Sequence, residues 1–172
     1  MTIDDLYAPP ADIGGWHQKL QSLYEAWRQQ APAPDRLPGR QHVGPEILKP
    51  WLPGIWLLDI VWNEIDAQTG QPRIRYRLAG TKLVDMRGGH NPVGMWLEDS
   101  NPARVSPNPT ILRVHAMLQS LQASWRRGEP NNSRIAAVRM VENLFLPLAA
   151  DGSRVDMILC GSLYFGLDGH EI

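Results

Sequence analysis

The chain has a single cysteine, two phenylalanines and almost no charge imbalance. The lone Cys160 excludes an intramolecular disulfide framework and any multi-cysteine metal site, and fits a reducing compartment. Lysine and arginine number 17 against 18 acids, a formal net charge of −1. No basic surface therefore points to nucleic acid, and no acidic tail points to a basic partner. The most apolar window, from Pro50 to Trp62, is broken by Pro53, Gly54 and Asp59. It falls far short of the roughly 20 residues that cross a bilayer. The start, MTIDDLYAPP, has no apolar core of a leader, so no signal peptide is expected and the cytoplasm is the expected compartment. His17, His42, His90, His115 and His170 show neither HxH nor HExxH spacing, so no metal site is expected. GxGxxG, Walker and GxSxG patterns are missing too, which removes the usual dinucleotide, nucleoside triphosphate and acyl-transfer motifs.

What is present is tryptophan, proline and periodicity. Seven tryptophans stand against the two phenylalanines, and such amphipathic rings suit half-wet pockets and interfaces. Trp16, Leu20, Leu23, Tyr24 and Trp27 recur at spacings of three and four, which predicts an amphipathic helix over 14–30. The run APAPDRLP at 31–38 cannot extend it, because proline lacks the amide N–H and disfavours helix in the residue before it. The apolar stripe must then bury against the chain's own domain or against a second copy. A short helix is expected over 45–52 and a buried strand over 54–62, GIWLLDIVW. Turn residues at 66–72 lead to a second strand over 73–78, where Arg73, Arg75 and Arg77 alternate with Ile74, Tyr76 and Leu78. Thr81 is placed to cap a short helix that Gly88 and Gly89 stop. Residues 90–109, with four prolines, read as turns and short helices. Asn108 and Pro109 open the clearest helix, carried by Ile111, Val114, Leu118, Leu121 and Trp125, with Arg126 and Arg127 in its last turn and Gly128 as its stop. Strands are expected over 134–142, 144–148 and 155–165, with Asp151 and Gly152 as a hairpin turn.

Two strands, intervening helices and three strands make an α+β architecture: a five-stranded antiparallel sheet with helices packed on one face, plus an N-terminal amphipathic flanking helix. That order resembles a PAS domain, and more narrowly the small single-domain PAS-like proteins of alphaproteobacteria. The residues that carry the likeness are LPGRQHVGPEILKPWLPGIWLLDI at 37–60, RIRYRLAGT at 73–81, NPVGMWLED at 91–99 and ENLFLPLAADGSRVDMILCG at 142–161. The division this suggests is a flanking helix and proline-rich linker over 1–36, the PAS-like domain over 37–167 and a tail over 168–172. The resemblance implies a sensory or protein-interaction module without catalysis. It implies dimerisation through the flanking helix, with Trp16, Leu20, Leu23, Tyr24 and Trp27 as the interface. No output domain fits within 172 residues, so output through a protein partner or self-association is expected.

A cavity between helices and sheet is the expected small-molecule site of this architecture. Its expected walls are Tyr76, Leu78, Trp96, His115, Leu118, Trp125, Met157 and Leu159. No catalytic residue is assigned. An enzyme of the isomerase or dehydratase kind would need a pocket acid or base such as Asp59, Asp85 or His115, and stands as the alternative, as does a ligand-free dimeric adaptor. No cofactor is required. His115 reads as a core or boundary histidine. The resemblance adds haem ligation as a minor option, because haem-binding relatives use a histidine on the equivalent helix. Cys160 reads as a buried small hydrophobe rather than a flavin-adduct thiol. The Arg73, Arg75 and Arg77 row reads as a solvated face whose heads pair with acids on neighbouring strands, with Asp156 available, rather than as an anion site.

Overall fold

The structure, a computed structural model, describes residues 10–100, 108–131 and 136–172. Its strands are β1 Ile55–Ile65, β2 Pro72–Ala79, β3 Ser124–Gly128, β4 Val138–Leu148 and β5 Met157–Gly166. They form one antiparallel sheet in the order β2-β1-β5-β4-β3. Four α-helices accompany them: α1 Gln18–Gln29, α2 Pro45–Leu48, α3 Thr81–Met86 and α4 Pro109–Ser120. This is the expected α+β sheet with its N-terminal helix. Among the described residues no helix is long and apolar enough to cross a membrane.

The N-terminal helix begins at Gln18 rather than at 14, because the His17 imidazole caps it by accepting the Lys19 N–H at 3.2 Å. Its stripe does not face outward. Trp16, Leu20, Leu23, Tyr24 and Trp27 are all buried in one cluster with Leu57, Leu144, Leu146, Leu148, Leu159 and Leu163 of the same chain. The five residues expected at a dimer interface are thus core residues in cis, since an apolar stripe beside an uncovered sheet face buries most area there. Glycine makes the approach close: a Cβ at Gly161 would lie 2.5 Å from Leu23 Cδ2. The Trp27 indole donates to the Pro147 carbonyl at 3.1 Å. The linker is tied down as well, with the Leu37 N–H donating to Gly152 O at 2.9 Å and the Ala149 N–H donating to Pro38 O at 3.0 Å.

Glu142 anchors this face of the sheet. Its side chain is almost wholly buried, yet it accepts the His17 N–H at 2.5 Å and the Trp125 indole N–H at 2.9 Å, and it lies 3.9 Å from Arg127. A buried carboxylate with that many donors is well satisfied.

The opposite face carries α3 and α4. Trp56, Leu58, Ile74, Tyr76, Phe145, Ile158 and Cys160 form a second cluster there with Leu83, Val114 and Met117. Residues 94–97 run along the free edge of β2, where the Tyr76 N–H donates to Met95 O at 3.0 Å and the Leu97 N–H donates to Ile74 O at 2.9 Å. That segment blunts an otherwise open edge strand.

Three expectations change. The helix from Pro109 stops at Ser120, where Leu121 adopts a left-handed conformation at φ 59° and the chain turns back. Trp125, Arg126 and Arg127 therefore sit on β3, with Trp125 opposite Leu144. Their spacing matched a helix by coincidence, and pairing with the long β4 decided the outcome. Next, the strands expected over 134–142 and 144–148 are one strand, since Asn143 pairs with Ser162 without a break; residues 134 and 135 lie outside the described residues. Finally, Thr81 is the first helical residue and Gly80 the cap. The cap must be glycine, because a Cβ at Gly80 would sit 2.5 Å from Ile55 O and 2.6 Å from Pro53 O. Of the expected turns and short helices over 90–109, residues 101–107 lie outside the described residues.

Candidate ligand-binding site

A cavity of about 80 Å³ lies between α3, α4 and the sheet. That is several times the ~10–15 Å³ that one water needs. Gly80 releases the chain from β2, and the short α3 then lays Leu83 and Met86 on the sheet and ends at Arg87. Arg87 is 4% exposed. One of its nitrogens, Nη2, donates to Ser100 O at 2.9 Å. Its Nε and Nη1 have no hydrogen-bond partner among the described residues, and none of the ion pairs there involves it. The guanidinium lies 5.9 Å from the centre of the Tyr76 ring.

On the other side, the N-terminus of α4 is set by Asn108, whose side chain accepts the Thr110 N–H at 2.9 Å. This orients Arg113, also 4% exposed, over the Phe145 ring at 3.9 Å. Arg113 is held firmly: Nε donates to Ser124 Oγ at 2.7 Å and Nη1 to Asn143 Oδ1. Arg126 completes the wall and donates to Glu129 O at 2.6 Å. Burial lowers its pKa from the usual arginine value, but a guanidinium remains a cation at neutral pH.

The floor is aromatic. Trp56 stacks on Tyr76 with centroids 5.8 Å apart and meets Phe145 edge-on at 5.2 Å. Its indole donates to Ser162 Oγ at 2.9 Å. Burial pushes the Tyr164 phenol up to about 12, with its hydrogen bond to Ser162 acting in the opposite direction. Burial also raises Tyr76, opposed by its hydrogen bond to Ser100 and by the nearby Arg87. Both phenols stay neutral, and can donate, across the ordinary pH range. Among the described residues the lining thus carries Arg87, Arg113 and Arg126 and no aspartate or glutamate.

Of the eight expected wall residues, only Tyr76 lines this cavity. Leu78 is 38% exposed, because an irregularity between Leu57 and Leu58 shifts the β1–β2 register beside it. Trp96 points away from Leu97 across the edge segment and lies over Arg73 at 3.9 Å. Trp125 is on the α1 face of β3, stacked on Trp16 at 5.9 Å. Met157 and Leu159 are on the α1 face of β5, while Ile158, Cys160, Ser162 and Tyr164 face the other way. Leu118 packs at the margin of the second cluster.

His115 is half-buried with Nε2 3.4 Å from Pro72 O, and burial lowers its pKa from the usual histidine value. It does not reach the cavity, so its placement does not fit a haem ligand. Asp59 and Asp85 lie outside the lining too, Asp59 pairing with Arg75 at 3.5 Å. Arg73 lies 3.9 Å from Glu64 and 4.0 Å from Glu98. The acids beside the arginine row are these three and not Asp156, which instead accepts the Ala150 N–H at 3.0 Å. Cys160 is fully buried, and burial raises its thiol pKa.

The residues that sequence reasoning missed are Arg87, Arg113, Trp56, Ser162 and Tyr164. One signal was available: Ser162 and Tyr164 are polar groups at alternate positions in an otherwise apolar strand, LCGSLYFG, and such groups usually meet a polar partner. A family model described as a PAS domain matches residues 16–163. No curated protein matches the chain closely enough to count as a relative.

Proposed function

Because the chain belongs to the PAS domain family, we propose that it is a non-catalytic sensory module that binds a small molecule in the cavity between α3, α4 and the sheet. One observation carries this reading. Arg87 is a buried cation whose Nε and Nη1 have no partner among the described residues, and it borders a cavity. A buried charge left so poorly satisfied costs several kcal/mol, which a merely structural position has no reason to keep. The non-catalytic part is supported by the lining, which among the described residues offers neither carboxylate nor imidazole as a general base.

Output passes to a protein partner or a second copy of the chain. The buried stripe of α1 is already used in cis, so a dimer through this helix would use its exposed side, around Lys19, Ser22 and Glu25, or would require α1 to lift off. The narrower likeness to small single-domain alphaproteobacterial proteins is consistent with that mode of output. Native mass spectrometry of the purified protein tests the reading. The expected result is a small-molecule adduct that is lost on denaturation and can be displaced. A ligand-free chain whose thermal unfolding is unmoved by a library of small metabolites would contradict it.

A further inference from the structure

We infer that the ligand is a small organic monocarboxylate, its carboxylate held by Arg87 and its apolar body lodged against Trp56 and Phe145. This rests on the cavity being the ligand site, and adds the ligand's chemical class.

The charge comes first. Arg87 is 4% exposed and has one hydrogen bond, to Ser100 O, leaving N–H donors on Nε and Nη1 unmet among the described residues. A guanidinium in that state is completed by an oxyanion, which accepts charge-assisted hydrogen bonds of about twice the usual strength. Among the described residues the lining holds two further arginines and no acid, so its field favours an anion.

The rest of the cavity then limits the anion. Trp56, Phe145, Leu83, Met86 and Val141 present apolar surface. A bare phosphate would turn most of its oxygens towards ring faces and methyl groups that cannot donate, and would forfeit its hydration. A carboxylate concentrates its acceptors at one end and leaves a hydrocarbon end for the aromatic floor. The cavity of about 80 Å³ suits a molecule of few heavy atoms. Among the described residues, Arg87 is the lining arginine with buried donors left unmet, which calls for one carboxylate rather than two.

The test is isothermal titration of the full chain with benzoate, with benzamide as its neutral isostere and with inorganic phosphate, repeated in Arg87→Gln and Arg87→Lys. Benzoate is expected to bind, benzamide to bind about ten-fold or more weakly, and phosphate not to displace benzoate. Arg87→Gln should lose about ten-fold or more in benzoate affinity while leaving benzamide unchanged, and Arg87→Lys should recover part of the loss. Thermal unfolding of each variant confirms that it is folded. A carboxylic acid released from the native protein and missing from Arg87→Gln would support the assignment independently. Benzamide binding as tightly as benzoate would overturn the carboxylate while leaving the ligand cavity standing, and so would displacement of benzoate by phosphate. If no probe binds and native mass spectrometry finds no small molecule, the assignment and the sensory reading fall together.

Discussion

Each face of the sheet buries charge, and two of the buried groups, Glu142 on one face and Arg87 on the other, are treated in opposite ways. On the α1 face, Glu142 accepts two N–H groups and lies beside Arg127. Around it the packing is apolar and close, down to a glycine where the helix crosses β5. The Trp16 indole N–H is the exception there, with no partner among the described residues. On the α3–α4 face, Arg87 is as deeply buried but keeps two nitrogens unmet and borders a cavity. Burial alone does not distinguish a structural charge from a binding one. The count of satisfied hydrogen bonds does, because a completed network stabilises and an incomplete one costs until a ligand completes it.

The largest expected effect lies on the satisfied face. Glu142→Ala leaves the half-buried His17 and Trp125 N–H groups without their acceptor, and should cost about 3 kcal/mol in chemical denaturation. A loss within the scatter of surface substitutions would break the comparison. Next, Gly161→Ala drives a methyl against Leu23 and should cost about 2 kcal/mol while loosening α1, read as faster amide exchange in that helix. Unchanged exchange would mean that α1 docks less closely than described. A smaller effect sits on the cavity face and depends on pH. The Tyr164 phenol has a folded pKa raised to about 12 against an unfolded value of about 10, so the folded state holds the proton more tightly. Its contribution is complete below about pH 10 and is lost as pH rises towards about 12, up to roughly 2 kcal/mol. Tyr164→Phe should flatten that part of the alkaline unfolding curve. An unaltered curve would place the titration elsewhere.

The first hairpin, the Asp151–Gly152 turn and the amphipathic α1 were legible because each rests on a local signal, whereas the count of five strands agrees only because the missed β3 offsets the two expected strands that merge in β4. Period two in RIRYRL and three-four spacing from Trp16 to Trp27 survive folding unchanged. The cavity was not legible, for two physical reasons. Both faces of β5 are buried, so MILCGSLYFG is apolar apart from Ser162 and the Tyr164 hydroxyl, and its parity cannot be read from hydrophobicity alone. Met157 and Leu159 therefore cannot be told from Ile158 and Cys160 without the register. The end of α4 was hidden as well, since Leu121 and Trp125 continue a helical spacing while the backbone reverses at Leu121. That reversal moves Trp125 to the far face and brings Ser124 to Arg113. Arg87 caps the end of a six-residue helix, where nothing in the local sequence signals burial, and only tertiary structure buries it.

The most direct measurement is chemical denaturation of the wild-type protein and Arg87→Gln, side by side, without ligand and with saturating benzoate. The account predicts that the ligand-free variant is as stable as the wild type or more so, by about 1 kcal/mol, since it relieves an incompletely satisfied buried charge. Benzoate is expected to stabilise the wild type more than the variant, by about 1.4 kcal/mol for each ten-fold difference in affinity. A variant that is less stable without ligand, and that benzoate stabilises as much as the wild type, would show Arg87 to be a structural residue and would contradict the account.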